Sequence, residues 1–201
     1  IRTLALLQLL GILGQGVLGG ITVLTDLHPL PVAGHFLLSI FLISGAISLR
    51  YEMVGVVKEA AVGLAKPILP LLIWLTLFVL IAGTIVTGSG PHAGDEQAQR
   101  FGFDPRVVSW LHADLVIALL VLTSMLFLIT RQIGLTIINK RVGLFLLICL
   151  AQGLVGYVQY FTGLPVVLVA IHLLGATLVW VSGWSLVKVA DSGFKLKGFQ
   201  L

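Results

Sequence analysis

Six uninterrupted apolar runs, at 4–24, 32–49, 68–88, 107–129, 142–161 and 165–187, occupy most of this 201-residue chain. A hydrocarbon core about 30 Å thick is crossed by a helix of about 20 residues. A transmembrane barrel strand needs only about ten residues and alternates apolar with polar positions. These runs are long and continuous, so they predict helices. The composition agrees: charged residues make up 10% of the chain and mean hydropathy is +1.12, whereas a soluble domain carries roughly 25% charged residues. Too little polar surface exists to face water, which excludes a soluble globular class. The expected fold is all-α, a polytopic membrane helical bundle in a lipid bilayer. Cys149 is the single cysteine and sits inside an apolar run, so no disulfide framework or cysteine metal cluster is expected.

The charges set a topology. Arg2, Arg50, Lys58, Lys66, Arg131, Lys140, Arg141, Lys188, Lys195 and Lys197 all fall on one side of an alternating six-span path. The other side holds only Arg100 and Arg106, offset by Asp95, Glu96 and Asp104. The excess of Lys and Arg marks the cytoplasmic side, so both ends of the sequence are expected there. The net charge of +4 is then a topological signal and not a nucleic-acid footprint. Trp110 and Tyr160 near outer span ends, and Trp184 near an inner one, suit interfacial anchoring.

The chain also repeats itself. At an offset of 137 residues, Gln15-Gly16 meets Gln152-Gly153, Gly19 meets Gly156, Thr25 meets Thr162 and His35 meets His172, without a gap. Spans one and two therefore duplicate spans five and six, with small residues at a spacing that lets helices approach closely. Spans three and four have no counterpart upstream. A complete duplication predicts an eight-helix protein of two pseudo-symmetric four-helix halves. On this reading the sequence begins part-way through a longer protein, 1–66 is the remainder of the first half, and 67–201 is the complete second half.

The chemistry lies with the histidines. His35, His112 and His172 each fall a few residues inside the outer end of an even-numbered span, so they are expected at one depth. An ionisable side chain at membrane depth is expensive and usually has a partner. One such histidine is readily explained by an interhelical hydrogen bond. Three at one depth, two of them repeat-related, point instead to a metal or cofactor. Neutral imidazole is a common iron ligand, and helical bundles build such sites from facing helices. Zinc normally takes three or four protein ligands, and only Asp114 lies near, so the pattern favours haem. His112 and His172 would supply two axial positions of one haem and His35 one position of another. In the glycine-rich outer segment, His92 and Asp95 are candidate contacts to haem propionates or proton relays, set against a plain solvated turn. His28 reads as a loop residue and cap, and Gln15 and Gln152 as interhelical hydrogen-bonding amides.

Two motifs are long enough to name a family. The run Val86-Thr87-Gly88-Ser89-Gly90-Pro91-His92-Ala93-Gly94-Asp95 resembles the outer-loop signature of bacterial haem A synthases. So does Gln15-Gly16-Val17-Leu18-Gly19-Gly20-Ile21-Thr22-Val23, followed by Val32-Ala33-Gly34-His35. The resemblance covers essentially the whole chain, as the third to eighth helices of that family. It implies haem b as cofactor between His112 and His172, and haem O as substrate with His35 as a ligand. The implied reaction oxidises a haem methyl to a formyl group by successive hydroxylations and loss of water, giving haem A for terminal oxidases. It implies a multi-pass protein of the cell (plasma) membrane with its haem sites toward the outer face. Candidate partners are a haem O synthase, an electron donor and a second copy of the chain. The 89–106 connection lacks the cysteine pair that some members carry, and the family's first outer loop has no counterpart in these residues.

Two other classes compete. A bis-histidine membrane cytochrome b acting only in electron transfer would use the same histidines, but a transmembrane carrier is expected to place haems toward both faces. A repeat-built transporter is expected to show broken helices near the midplane, whereas the Gly and Pro breaks here fall mainly at span ends.

Overall fold

The computed structural model describes residues 1–91 and 97–191. Six helices follow in order: α1 (Arg2–Leu24), α2 (Pro29–Val54), α3 (Ala65–Ser89), α4 (Pro105–Gln132), α5 (Thr136–Phe161) and α6 (Val166–Val189). All six are long and apolar enough to cross a membrane. The chain is a multi-pass helical membrane protein.

Most helices outrun the apolar runs that announce them. The largest difference at a single helix end is at α5, which begins at Thr136 although 130–141 reads as a polar connection. Lys140 and Arg141 tolerate helix well, and polar residues at headgroup depth incur no desolvation cost. The turn itself shrinks to 133–135. Asn139 closes it, its side-chain amide donating to the Phe127 carbonyl at 2.8 Å and to Thr130 Oγ1 at 2.9 Å. At the start of α2, Pro29 and Pro31 occupy the first turn, where no backbone donor is needed. His28 caps that turn, its Nδ1 accepting from the Leu30 N–H at 3.2 Å. Asp104 caps α4 in the same way, accepting from the Arg106 N–H at 2.8 Å.

Consecutive helices pack as hairpins: α1 on α2, α3 on α4, α5 on α6. The alternation brings the starts of α2, α4 and α6 to one end of the bundle, hereafter the histidine end. Helices α3 to α6 share the main core, in which Leu72, Leu126, Ile138, Val142, Phe145 and Leu186 are fully buried. A second cluster of Ile40, Leu80 and Trp180 joins α2 to α3 and α6. Helix α1 rests chiefly on α2, and Leu4 is its only fully buried residue.

The α2–α6 contact is hydrogen-bonded as well as apolar. Trp180 Nε1 donates to Ser44 Oγ at 2.7 Å, and Trp184 Nε1 donates to Ser48 Oγ at 3.0 Å. The two indoles stack with centroids 5.8 Å apart. Trp184 thus departs from the simple anchor expected of it, because a serine on the facing helix satisfies its N–H. Trp110 is 58% exposed and Tyr160 40% exposed.

At the opposite end, Glu59–Ala60 pairs in parallel with Ala190–Asp191. The pair carries Glu59 to the start of α5, where its Oε2 accepts from the Ile138 N–H at 2.7 Å. A carboxylate there satisfies one of the donors a helix N-terminus leaves open and complements its dipole. Glu59→Ala is expected to destabilise the bundle by about 1 kcal/mol. Thermal unfolding in detergent checks this, with Glu59→Gln recovering most of the loss.

Candidate functional site

His35, His112 and His172 lie within the first eight residues of α2, α4 and α6 respectively. At 1.5 Å of rise per residue, that brings all three to one level near the histidine end. Each belongs to the second helix of a hairpin, and each ring rests on a glycine of the first. A Cβ on Gly19 would stand 3.4 Å from His35 Cε1. A Cβ on Gly83 would stand 3.3 Å from His112 Cε1, and one on Gly156 would stand 3.1 Å from His172 Cε1. Glycine inside a helix is unfavourable by roughly 0.5–1 kcal/mol relative to alanine. Its use at all three contacts makes room for an imidazole between two helices.

The repeat marks Gly19 and Gly156, though only as places where helices approach. It does not mark Gly83, because α3 and α4 have no duplicate in the sequence. The hairpin unit, a glycine on the first helix under a histidine on the second, is the regularity that sequence comparison misses. Once His35 and His172 are paired with their glycines, Gly83 is the residue to look for opposite His112.

The rings are poorly satisfied. Nδ1 of His35, His112 and His172 is buried without a hydrogen-bond partner. So is Oε1 of Gln15, Gln152 and Gln159. Among the described residues, every buried unpartnered side-chain nitrogen or oxygen belongs to these six residues. Buried polar atoms are nearly always paired, and a group of exceptions calls for a cause. All six lie in the half of the bundle nearest the histidine end. Gln15 is the partly satisfied case, its amide nitrogen donating to the His35 carbonyl at 3.1 Å and to Ser39 Oγ at 2.6 Å. Gln152 lies where a Cβ of Gly175 would be.

His112 and His172 sit close enough to interact electrostatically, and His112 also meets the backbone of Val79 on α3. Asp114, two residues from His112, is exposed on another face of α4. Among the described residues, no three His, Cys, Asp or Glu side chains gather into one group. The imidazoles come instead as two within electrostatic reach, His112 and His172, and a separate His35. A tetrahedral zinc site needs three or four ligands; a macrocycle that already fills the equatorial positions of its metal needs one or two. The donor set therefore fits a planar metallocycle.

The glycine-rich segment after α3 is explained in part. Gly88 packs beneath the Phe101 ring and against Pro29, with no space for a Cβ, and the Phe101 N–H donates to the Gly88 carbonyl at 3.0 Å. His92 and Asp95 lie outside the described residues. An apolar groove of about 460 Å³ between α3 and α4, lined by Leu71, Trp74, Phe78, Val121 and Met125, contains none of the histidines.

Fold and site together define a class: a helical membrane protein with a layer of glycine-seated imidazoles near one end. No protein-family model matches the chain, and no curated protein or solved structure matches it.

Proposed function

We propose that the chain is the third-to-eighth-helix part of a haem A synthase, which oxidises a methyl group of haem O to a formyl group. The observation that carries this reading is the layer of three glycine-seated histidines, each with a buried, unpaired ring nitrogen. In this reading His112 and His172 hold haem b from α4 and α6, and His35 holds haem O in the other half. Haem bound by two histidines supplies one-electron chemistry at its iron. The chain's own residues fix the rings between helices, keep the layer dry with apolar neighbours, and hold the two sites at one depth. The second ligand for haem O would come from a further helix.

The same reading makes the protein eight helices in two pseudo-symmetric halves. The hydrogen bonds Ser44–Trp180 and Ser48–Trp184 support it, because each joins residues 136 apart in sequence. That is one residue from the repeat offset of 137. Two helices related by a two-fold axis along the membrane normal touch through equivalent positions all along their length. Helix α1, equivalent to α5, is covered chiefly by α2, whereas α5 also packs on α4; two more helices would supply that missing neighbour. The basic end faces the cytoplasm in this proposal, and the histidine end lies toward the outer face of the plasma membrane.

Haem O supplied to membranes containing the full-length protein should be converted to hydroxymethyl and formyl products, resolved by chromatography and mass spectrometry. Recovery of unchanged haem O from membranes with bound haem b would leave a bis-histidine cytochrome of electron transfer.

A further inference from the structure

Resting on the haem reading above, we infer that Gln159 positions His172, its side-chain carbonyl accepting the Nδ1–H of the ring so that Nε2 is presented to the metal. Gln159 follows Gly156 by three positions on α5, so the two share a face. Gly156 is the seat of the His172 ring, whose Nδ1 lies 3.7 Å from the position of a Gly156 Cβ. A helical side chain leans toward the N-terminus of its own helix, which aims the His172 ring toward the start of α6 and hence toward the end of α5. Gln159 stands on that side of Gly156. Both Gln159 Oε1 and His172 Nδ1 are buried, and neither has a partner. One is an acceptor, the other a donor in the tautomer that leaves Nε2 free. A hydrogen bond between the two would satisfy both atoms at once.

The partnership is chemically consequential. A histidine that ligates through one nitrogen almost always donates from the other, and that second bond fixes the tautomer and raises ligand basicity. Gln15 and Gln152 are less suited to this role. Gln15 is tied by its amide to the His35 carbonyl and Ser39, and Gln152 precedes Gly156 by a turn, on the side away from the ring.

The repeat makes the assignment specific to one half. The position equivalent to Gln159 is Thr22, whose hydroxyl already donates to the Leu18 carbonyl at 2.8 Å. The His35 seat therefore has no long amide acceptor at the position that Gln159 occupies beside His172. A ligand held for the life of the protein benefits from such a partner. A substrate that must leave after oxidation does not.

The test uses full-length protein purified in detergent, with Gln159→Met as a near-isosteric variant lacking the acceptor and Gln159→Glu as a stronger acceptor. Readouts are the rate of haem b transfer to an apoglobin scavenger, the low-spin ferric EPR spectrum and the reduction potential. Removing such a partner typically weakens metal binding by roughly 10- to 100-fold. Gln159→Met should therefore release haem b faster by about that factor and shift the EPR g values. Gln159→Glu should restore retention and lower the reduction potential below that of the unmodified protein. Wild-type release and EPR spectra in Gln159→Met, or no rescue by Gln159→Glu, would overturn the role of Gln159 and leave the haem site standing. Absence of haem from the unmodified protein would instead remove the reading on which this inference rests.

Discussion

If the chain holds haem b as proposed, alanine at either His112 or His172 is expected to abolish its low-spin spectrum, while alanine at His35 leaves it in place. The asymmetry follows from the geometry. His112 and His172 lie within electrostatic reach of one another, while His35 sits on the α1–α2 hairpin, seated on Gly19. On the proposed reading each of these rings would supply one of the two nitrogens that hold the haem, so losing either would weaken or abolish its binding. His112→Ala and His172→Ala should each reduce recovered haem b to a small fraction, as measured by reduced-minus-oxidised absorbance and haem content per protein. The variants should still fold, because both rings are only partly buried and neither makes a side-chain hydrogen bond through Nδ1. His35→Ala should retain haem b and lose bound haem O. A normal bis-histidine spectrum in His112→Ala would remove the assignment.

The glycine seats give the second large effect. At Gly156 a Cβ would stand 3.1 Å from His172 Cε1, tighter than ordinary van der Waals contact, so Gly156→Ala requires the ring to move by a few tenths of an ångström. Overpacking of this kind usually destabilises by about 1–3 kcal/mol, equivalent to roughly 5- to 150-fold in affinity if the strain falls on the ligand site. Gly156→Leu should eliminate haem b binding by driving His172 out of its notch, and Gly83→Leu should do the same through His112. Gly153→Ala is the control, since no atom lies within 4 Å of its Cβ position and the substitution favours helix. Haem content and thermal unfolding of the four variants separate a displaced ligand from a damaged bundle. If Gly156→Leu and Gly83→Leu keep full haem content, the imidazoles are not seated where the site needs them.

The helices were legible because lipid leaves a chain few alternatives: long apolar runs must satisfy their own backbone polar groups. Their ends were less legible. Thr136 to Arg141 read as a connection because hydropathy measures burial, while helix continues wherever backbone geometry allows. The one-level placement of the histidines could be read from span ends. Gly83 could not, because its role exists only once α3 and α4 lie side by side. Glu59 on the first turn of α5 was equally hidden, since 79 residues separate it from Ile138 and no local pattern announces a cap from another segment. The α2–α6 bonds of Ser44 and Ser48 with the two tryptophans share that origin. Serines inside apolar runs are silent in sequence until a facing indole claims them.

The most direct test of the central claim is extraction and chromatography of the haem held by purified full-length protein expressed with a source of haem O. The account predicts haem b together with haem O or haem A, with the haem b fraction lost in His112→Ala and the other fraction lost in His35→Ala. A protein that folds yet carries no haem would contradict it. Haem b alone, with supplied haem O neither bound nor converted, would confine the histidine layer to electron transfer.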